Sequence, residues 1–274
     1  MEIFVSQLFI YPVKGLPGIT KTESELTPRG LKYDRRWMLV DENNRFLSQR
    51  GLPILTQFNV SETPNGFKIT APNKVSYIDI PYQIDGASQL VIIWEDTCNA
   101  LHFSEAIDSW FTQIIGITCR LVFMPEQSLR TITEPKVPVN SLVSFADAFP
   151  LLIIGEASLT YLNKLLLEPM HMNRFRPNLV LDGTVAFEED TFLEFTIGNN
   201  SFIAPKPCAR CAVTTINQQT GEAGAEPLKT LSTFRKKENK IYFGENALCT
   251  AGFQEIALGN TIKILSRKKS KFDS

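Results

Sequence analysis

The sequence predicts a mostly β protein of the α+β class, with two β-rich lobes meeting near residue 125. Three observations carry this. Short β-branched or aromatic runs bounded by turn residues recur along the whole chain. Only three segments show helical periodicity. A composition of 43% hydrophobic and 21% charged residues over 274 positions suits a globular chain with a sizeable core.

Runs at 3–11, 37–41, 67–71, 90–94 and 120–123 read as strands. Turns at Glu42-Asn43-Asn44-Arg45 and Pro64-Asn65-Gly66 join antiparallel neighbours. A helix is predicted over 105–115, where Ile107, Phe111, Ile114 and Ile115 share a face. The polar, proline-bearing stretch 124–138 reads as a linker or mobile loop. A strand follows at 151–154, then an amphipathic helix over 156–167 with Leu159, Leu162, Leu165 and Leu166 inward and Pro169 blocking its continuation. Strands return at 178–181, 192–197, 201–204, 212–216 and 261–265, with a short helix over 228–234.

Net charge is −1, so bulk attraction to nucleic acid or to a membrane surface is not expected. The run Arg267-Lys268-Lys269 reads as a solvated basic tail, and Glu188-Glu189-Asp190 as a solvated turn. No stretch approaches the ~20 apolar residues of a membrane span. Glu2 stands where a signal peptide carries bases. Five cysteines, an odd number, fit a reducing cytoplasm. Cys98, Cys119 and Cys249 read as small core residues.

The chemistry concentrates in Lys206-Pro207-Cys208-Ala209-Arg210-Cys211, two thiols three residues apart with an arginine against the second. A neighbouring cation stabilises a thiolate, the form that binds a soft metal or attacks an electrophile. A structural zinc needs four ligands, and no second C-x2-C or histidine pair is present; His102 and His171 stand alone. A thioredoxin-like dithiol relies on a helix N-terminus, and the residues after Cys211 read as strand. Two incidental cysteines remain the plain alternative on residue types alone. Basic clusters mark other strand ends: Lys14-Gly15, Arg35-Arg36, and Arg174-Phe175-Arg176 ahead of Asn178. Arginine grips phosphate with two prongs, and asparagine offers donor and acceptor to a heterocycle edge. Together they suggest a positive pocket for an anionic ligand.

These motifs match a family. YPVKG at 11–15, DRRW at 34–37, FAD at 145–147, RFRPN at 174–178, AFEED at 186–190, KPCARCAVTT at 206–215 and EPLKTL at 226–231 resemble the MOSC-domain proteins, related to the C-terminal domain of molybdenum cofactor sulfurase. The likeness spans about residues 2–265. It is greatest to the subgroup that includes the mitochondrial amidoxime-reducing component and a bacterial reductase of N-hydroxylated compounds.

The resemblance implies a MOSC_N β-barrel-like domain over 1–124, a MOSC β-barrel domain over 125–266 and a basic tail over 267–274. It implies a molybdenum cofactor of molybdopterin type, its metal ligated by Cys211, with Arg210 favouring the thiolate. Lys14, Arg35, Arg176 and Asn178 would hold phosphate and pterin, with Gly15, Arg36 and Arg174 beside them. Gly15 stands where some relatives carry serine. Asp147 would help deliver protons, and Cys208 falls at an accessory position near the metal. The implied reaction is reductive removal of the hydroxyl from a small N-hydroxylated substrate. This sequence shows no cysteine cluster for an iron–sulfur centre, so electrons are expected from a separate ferredoxin- or flavodoxin-like protein or reductase. A non-catalytic carrier of the cofactor, or of sulfur as a Cys211 persulfide, is the rival reading.

Overall fold

A computed structural model describes residues 2–273. Most of the regular secondary structure is strand, as the alternating runs predict. The large sheet runs in the order Ile262–Arg267, Phe192–Ile197, Asn200–Ala209, Lys240–Ala251, Leu151–Gly155, Leu179–Asp182, Phe4–Ile10, Ile19–Lys21. A five-stranded sheet orders Ala87–Ile93, Asp96–His102, Arg120–Phe123, Trp37–Val40 and Val13–Lys14, and a three-stranded sheet joins Tyr77–Pro81, Gly66–Thr70 and Asn59–Thr63. The sheets are open rather than closed barrels. The large one comes nearest to closure, through a single bridge between Phe4 and Thr261, with Ile262 N–H donating to Ile3 O at 2.8 Å.

Period-2 alternation is used on both faces. Trp37 and Leu39 face one buried cluster while Met38 and Val40 face another; Leu151 and Ile153 join the first, while Leu152 and Ile154 pack with Phe175 and Phe243 in a third. Each fully buried Leu or Phe contributes roughly 1.5–3 kcal/mol relative to exposure. These two-sided strands hold the sheets at one interface.

The helix Glu105–Ile115 forms where the periodicity places it. Ser104 Oγ accepts the Ile107 N–H at 3.3 Å, and Gly116 ends the helix in the left-handed region at φ 82°. The next helix is shorter than the leucine pattern suggests, Glu156–Asn163. The Asn163 amide captures the returning chain by bonding both Met170 N–H and Met170 O, and Leu165 and Leu167 are left exposed.

Three readings are corrected. Residues 212–216 are not strand: Ala212–Thr215 is a 3-10 turn. The Thr214 and Thr215 hydroxyls donate to carbonyls three residues back and so close it. The acidic run is buried: Glu189 accepts from Gly155 N–H and Ser158 Oγ, and Asp190 pairs with Arg235 at 2.7 Å. The basic run is docked: Lys268 Nζ pairs with buried Glu245 at 2.6 Å, Arg267 with Glu188 at 2.7 Å, and Ser270 Oγ reaches Asp190 at 3.2 Å.

Candidate functional site

Antiparallel pairing of Leu8 with Leu179, and parallel pairing of Ile153 with Leu179, bring the end of Phe4–Ile10 beside the starts of two neighbouring strands. The end of Asn200–Ala209 reaches the same edge, Ala209 opposite Tyr242. Here a cavity of about 440 Å³ opens, within the usual range of ligand pockets. Lys14, Gly15, Arg35, Asp147, Arg176 and Asn178 line it on one side, Cys208, Arg210 and Cys211 on the other.

Arg36 and Arg174 do not line it. Arg35 faces the cleft from a turn, while Arg36, just ahead of the strand, turns to Met124 O and Glu126. Arg174 instead braces the turn after Cys211, reaching Thr214 O at 3.4 Å.

A cation sandwich lies behind the cleft wall, with Arg35 and Arg176 lining the cavity and Tyr11 buried between them. The Tyr11 ring lies between the guanidinium groups of Arg35 and Arg176, at 4.2 and 4.3 Å. A Cβ on Gly18 would meet this ring at 2.5 Å, so only glycine fits there. Arg35 and Arg176 both adopt left-handed backbone, φ 50° and 55°, a conformation that costs about 1–3 kcal/mol and persists where the surroundings enforce it. Burial pushes the Tyr11 phenol up to about 12 against the pull of the two arginines, and its oxygen has no partner.

Arg35 is partly committed. It donates to Asp34 at 2.5 Å, to Asn178 Oδ1 at 3.0 Å and to Arg176 O at 3.2 Å. Asp34 is itself buried and accepts Tyr11 N–H at 2.8 Å. Burial raises its carboxyl, and Arg35 pulls it back. Asn178 lines the cleft and also stitches strands: its Nδ2 donates to Phe9 O, and its Oδ1 accepts from Leu152 N–H and Arg35. Arg176 differs: its guanidinium makes no ion pair or side-chain hydrogen bond among the described residues. Burial lowers it to about 10.

Lys14 is committed too. Its Nζ donates to Asp147 at 2.5 Å and to Phe145 O at 2.8 Å, beside the Phe46 ring. Trp94 Nε1 donates to the same Asp147 oxygen at 3.1 Å. Partial withdrawal from solvent within the cleft would raise Asp147, whose side chain stays largely exposed, but Lys14 and Trp94 outweigh this and hold the carboxyl well below its usual range. Asp147 is therefore ionised at neutral pH.

The arginine between the cysteines serves the first of them. Arg210, just past the end of the strand, donates from Nη1 to Cys208 Sγ at 3.1 Å. Burial pushes the Cys208 thiol up, and Arg210 pulls it back. Cys211 sits one residue beyond Arg210, half-buried, its carbonyl capping the turn that follows. Arg210 Nη2 holds Phe175 O at 2.7 Å, while its Nε is buried without a partner. Among the described residues no three His, Cys, Asp or Glu side chains gather into a set able to hold a metal ion unaided.

Sequence reading missed the supporting residues. Arg130 lies in the stretch expected to be mobile, yet it is buried. Its guanidinium binds Asp96 and the carbonyls of Ser144, Ala146 and Asp147, pinning the loop that carries the carboxylate. Trp94 fills a two-residue turn between Ile93 and Asp96 at φ 54°, where Asn or Gly is favoured. Signals for both existed: a lone arginine in a polar loop, and a hairpin without turn residues.

No helix among the described residues is long and apolar enough to cross a membrane. The family model described as the MOSC N-terminal beta barrel domain matches residues 2–118, and that of the MOSC domain matches 140–263. The chain is 31% identical over 252 residues to mitochondrial amidoxime reducing component 2 of Bos taurus, covering 87% of this chain and 75% of that one. It is 31% identical over 264 residues to mitochondrial amidoxime-reducing component 1 of Homo sapiens, covering 87% and 74%. To molybdenum cofactor sulfurase of Oryza sativa subsp. japonica it is 28% identical over 264 residues, 89% of this chain but 32% of that one, so it spans about a third of that relative's length. Both halves of the chain and three quarters of the amidoxime-reducing relatives are thus accounted for in one continuous match: the chain belongs to the MOSC family, with a MOSC N-terminal domain followed by a MOSC domain.

Proposed function

We propose that the cleft binds a molybdenum–pterin cofactor and that the protein uses it to reduce N-hydroxylated compounds, N–OH to N–H plus water, with electrons from a separate carrier. The observation that carries this reading is the convergence of Cys211, the uncommitted Arg176 and the ionised Asp147 on one cleft. Relatives named amidoxime-reducing components, 31% identical, support it.

The residues present fit such a group. A thiolate at Cys211 is the soft ligand that suits molybdenum. Arg176 has no ion-pair partner among the described residues, and the orphan Nε of Arg210 is a buried donor awaiting an acceptor. Cys211 would ligate the metal, and Arg176 and Arg210 would grip phosphate or pterin oxygens. When bound, the cofactor supplies the two-electron reduction and takes up the hydroxyl oxygen. The chain's own residues bind and orient. Asp147, held by Lys14 and Trp94, accepts a hydrogen bond from the N–OH and fixes its direction. Phe46 and Trp94, packed at 4.9 Å, wall the same side of the cleft against water.

The test is metal analysis of protein expressed with cofactor biosynthesis, then turnover of benzamidoxime with reduced methyl viologen. Cys211→Ser is expected to lose molybdenum and activity together; Cys208→Ser should cost less. Unchanged molybdenum in the Cys211 variant would remove that residue from the site. Loaded protein without turnover on amidoximes, hydroxylamines or N-hydroxylated bases would leave the carrier reading, which the likeness to molybdenum cofactor sulfurase favours.

A further inference from the structure

The hairpin beside the cysteine strand carries a charge arrangement that folding does not reward. Lys236–Lys237 pairs antiparallel with the start of Lys240–Ala251, and the register sets Lys237 directly opposite Lys240 across a two-residue turn. Side chains directly opposite lie on one face, and like charges there are destabilising. Lys240 and Tyr242 line the cleft, two residues apart on one strand, so Lys237 shares their side. Lys271 joins them, its Nζ on Tyr242 Oη at 3.0 Å. All three lysines are exposed, and none pairs with a carboxylate among the described residues; Glu238 at the turn is the one acid between them. In a chain of net charge −1, this is a local positive rim rather than a general basicity.

The rim is also wired to the site. Arg210 N–H donates to Ile241 O at 2.7 Å, and Ala209 pairs with Tyr242. The hairpin is therefore hydrogen-bonded to the segment that bears Cys208 and Cys211. A protein seated on the lysines stands next to those thiols, separated by one strand rather than by the body of the molecule.

We propose that Lys237, Lys240 and Lys271 form the docking surface for an acidic electron-carrier protein that delivers electrons into the cleft. This rests on the reductase reading of the preceding subsection. Each N–OH reduced consumes two electrons and two protons and releases one water, so two molecules of a one-electron carrier are oxidised per turnover. Repeated encounter is what charge steering serves: complementary rim charges raise the on-rate, and salt screens them over about 10 Å at 0.1 M. The surface is small and polar, which suits a transient partner.

The experiment uses the full chain loaded with cofactor and an acidic 2Fe–2S ferredoxin as probe. Lys237→Glu, outside the cleft lining, is compared with Lys236→Glu, whose side chain lies on the opposite face of the same strand. Lys237→Glu is expected to raise the KM for ferredoxin and weaken its Kd about tenfold at low salt, a gap that closes as salt rises. Lys236→Glu should change both less than threefold on the same grounds. Turnover driven by reduced methyl viologen should stay unchanged in both variants. Equal KM and Kd in the Lys237 variant and the unaltered protein, or no low-salt binding of ferredoxin to the unaltered protein, would overturn the proposal. Binding to anionic phosphatidylserine vesicles that Lys237→Glu abolishes, with ferredoxin binding unmoved, would overturn it in favour of a lipid surface. Absence of turnover with viologen, alongside salt-sensitive ferredoxin binding, would instead fault the reductase reading and leave the docking surface standing.

Discussion

Lys14 shows how a residue assigned to a bound ligand can also have a partner within the chain. Its side chain is 9% exposed and its ammonium is shared between Asp147 and Phe145 O. The family resemblance assigned it to phosphate and pterin; the partner, 133 residues away, could not be read from the local pattern. The pair has a cost asymmetry. Removing the carboxylate strands a buried cation, whereas removing both charges restores neutrality. Asp147→Asn is therefore expected to destabilise by about 1–2 kcal/mol, modest because Asp147 itself is largely exposed. Lys14→Met combined with Asp147→Asn should recover part of that loss. Urea midpoints of the two singles and the double variant measure the coupling; additive losses would show that the pair contributes nothing.

At the scale of elements, legibility followed locality. The helix Glu105–Ile115 was readable because its cap, its apolar face and its terminating glycine all lie within thirteen residues. The strand Lys240–Ala251 was not, because Gly244, Glu245 and Asn246 interrupt its apolar pattern, and the cation that neutralises Glu245 lies at Lys268. Asn200–Ala209 was read as half its length because Pro205 and Pro207 argue against a central strand; the register shifts between Ile203 and Lys206, and between Pro207 and Ala209, absorb them. The acidic run beside it was misread for the same reason: burial is a property of the packed element. Glu189 is the sharpest case. It is 0% exposed and accepts only neutral donors, and burial pushes its carboxyl up to about 7. The raised value means the folded state holds a proton that the unfolded chain releases near 4.3. Its stabilising contribution is full below that pH, declines as pH rises toward 7, and is gone above. Glu189→Gln, which mimics the protonated acid, should remove this dependence and raise stability at pH 8 by on the order of 2 kcal/mol. Thermal unfolding between pH 5 and 8 checks it; a parallel pH profile in the variant would show that another group carries the slope.

At the scale of the whole molecule, the two halves of the chain are not two independent sheets. Phe4–Ile10 pairs with Leu179–Asp182, and its start bridges to Thr261, so this strand, with Ile19–Lys21 at its other edge, completes a sheet otherwise built from the second half. Val5 and Leu8 sit in the same buried cluster as Phe195, Phe202 and Ile262. The cleft inherits this arrangement: Tyr11, Lys14 and Arg35 come from one half, Arg176 and the cysteines from the other, and the cation sandwich exists only when both are present. A fragment covering 125–274 would lose its pairing partner along Leu179–Asp182 and expose an unpaired strand edge with apolar surface on both sides, the arrangement that drives strand addition and aggregation. Such a fragment is expected to associate and to lack a cooperative thermal transition, while adding a separately expressed 1–124 fragment should recover near-ultraviolet circular dichroism. A monomeric 125–274 fragment with its own sharp transition would mean that the first strand is dispensable, and that the cleft is assembled by docking two finished domains rather than by completing one sheet.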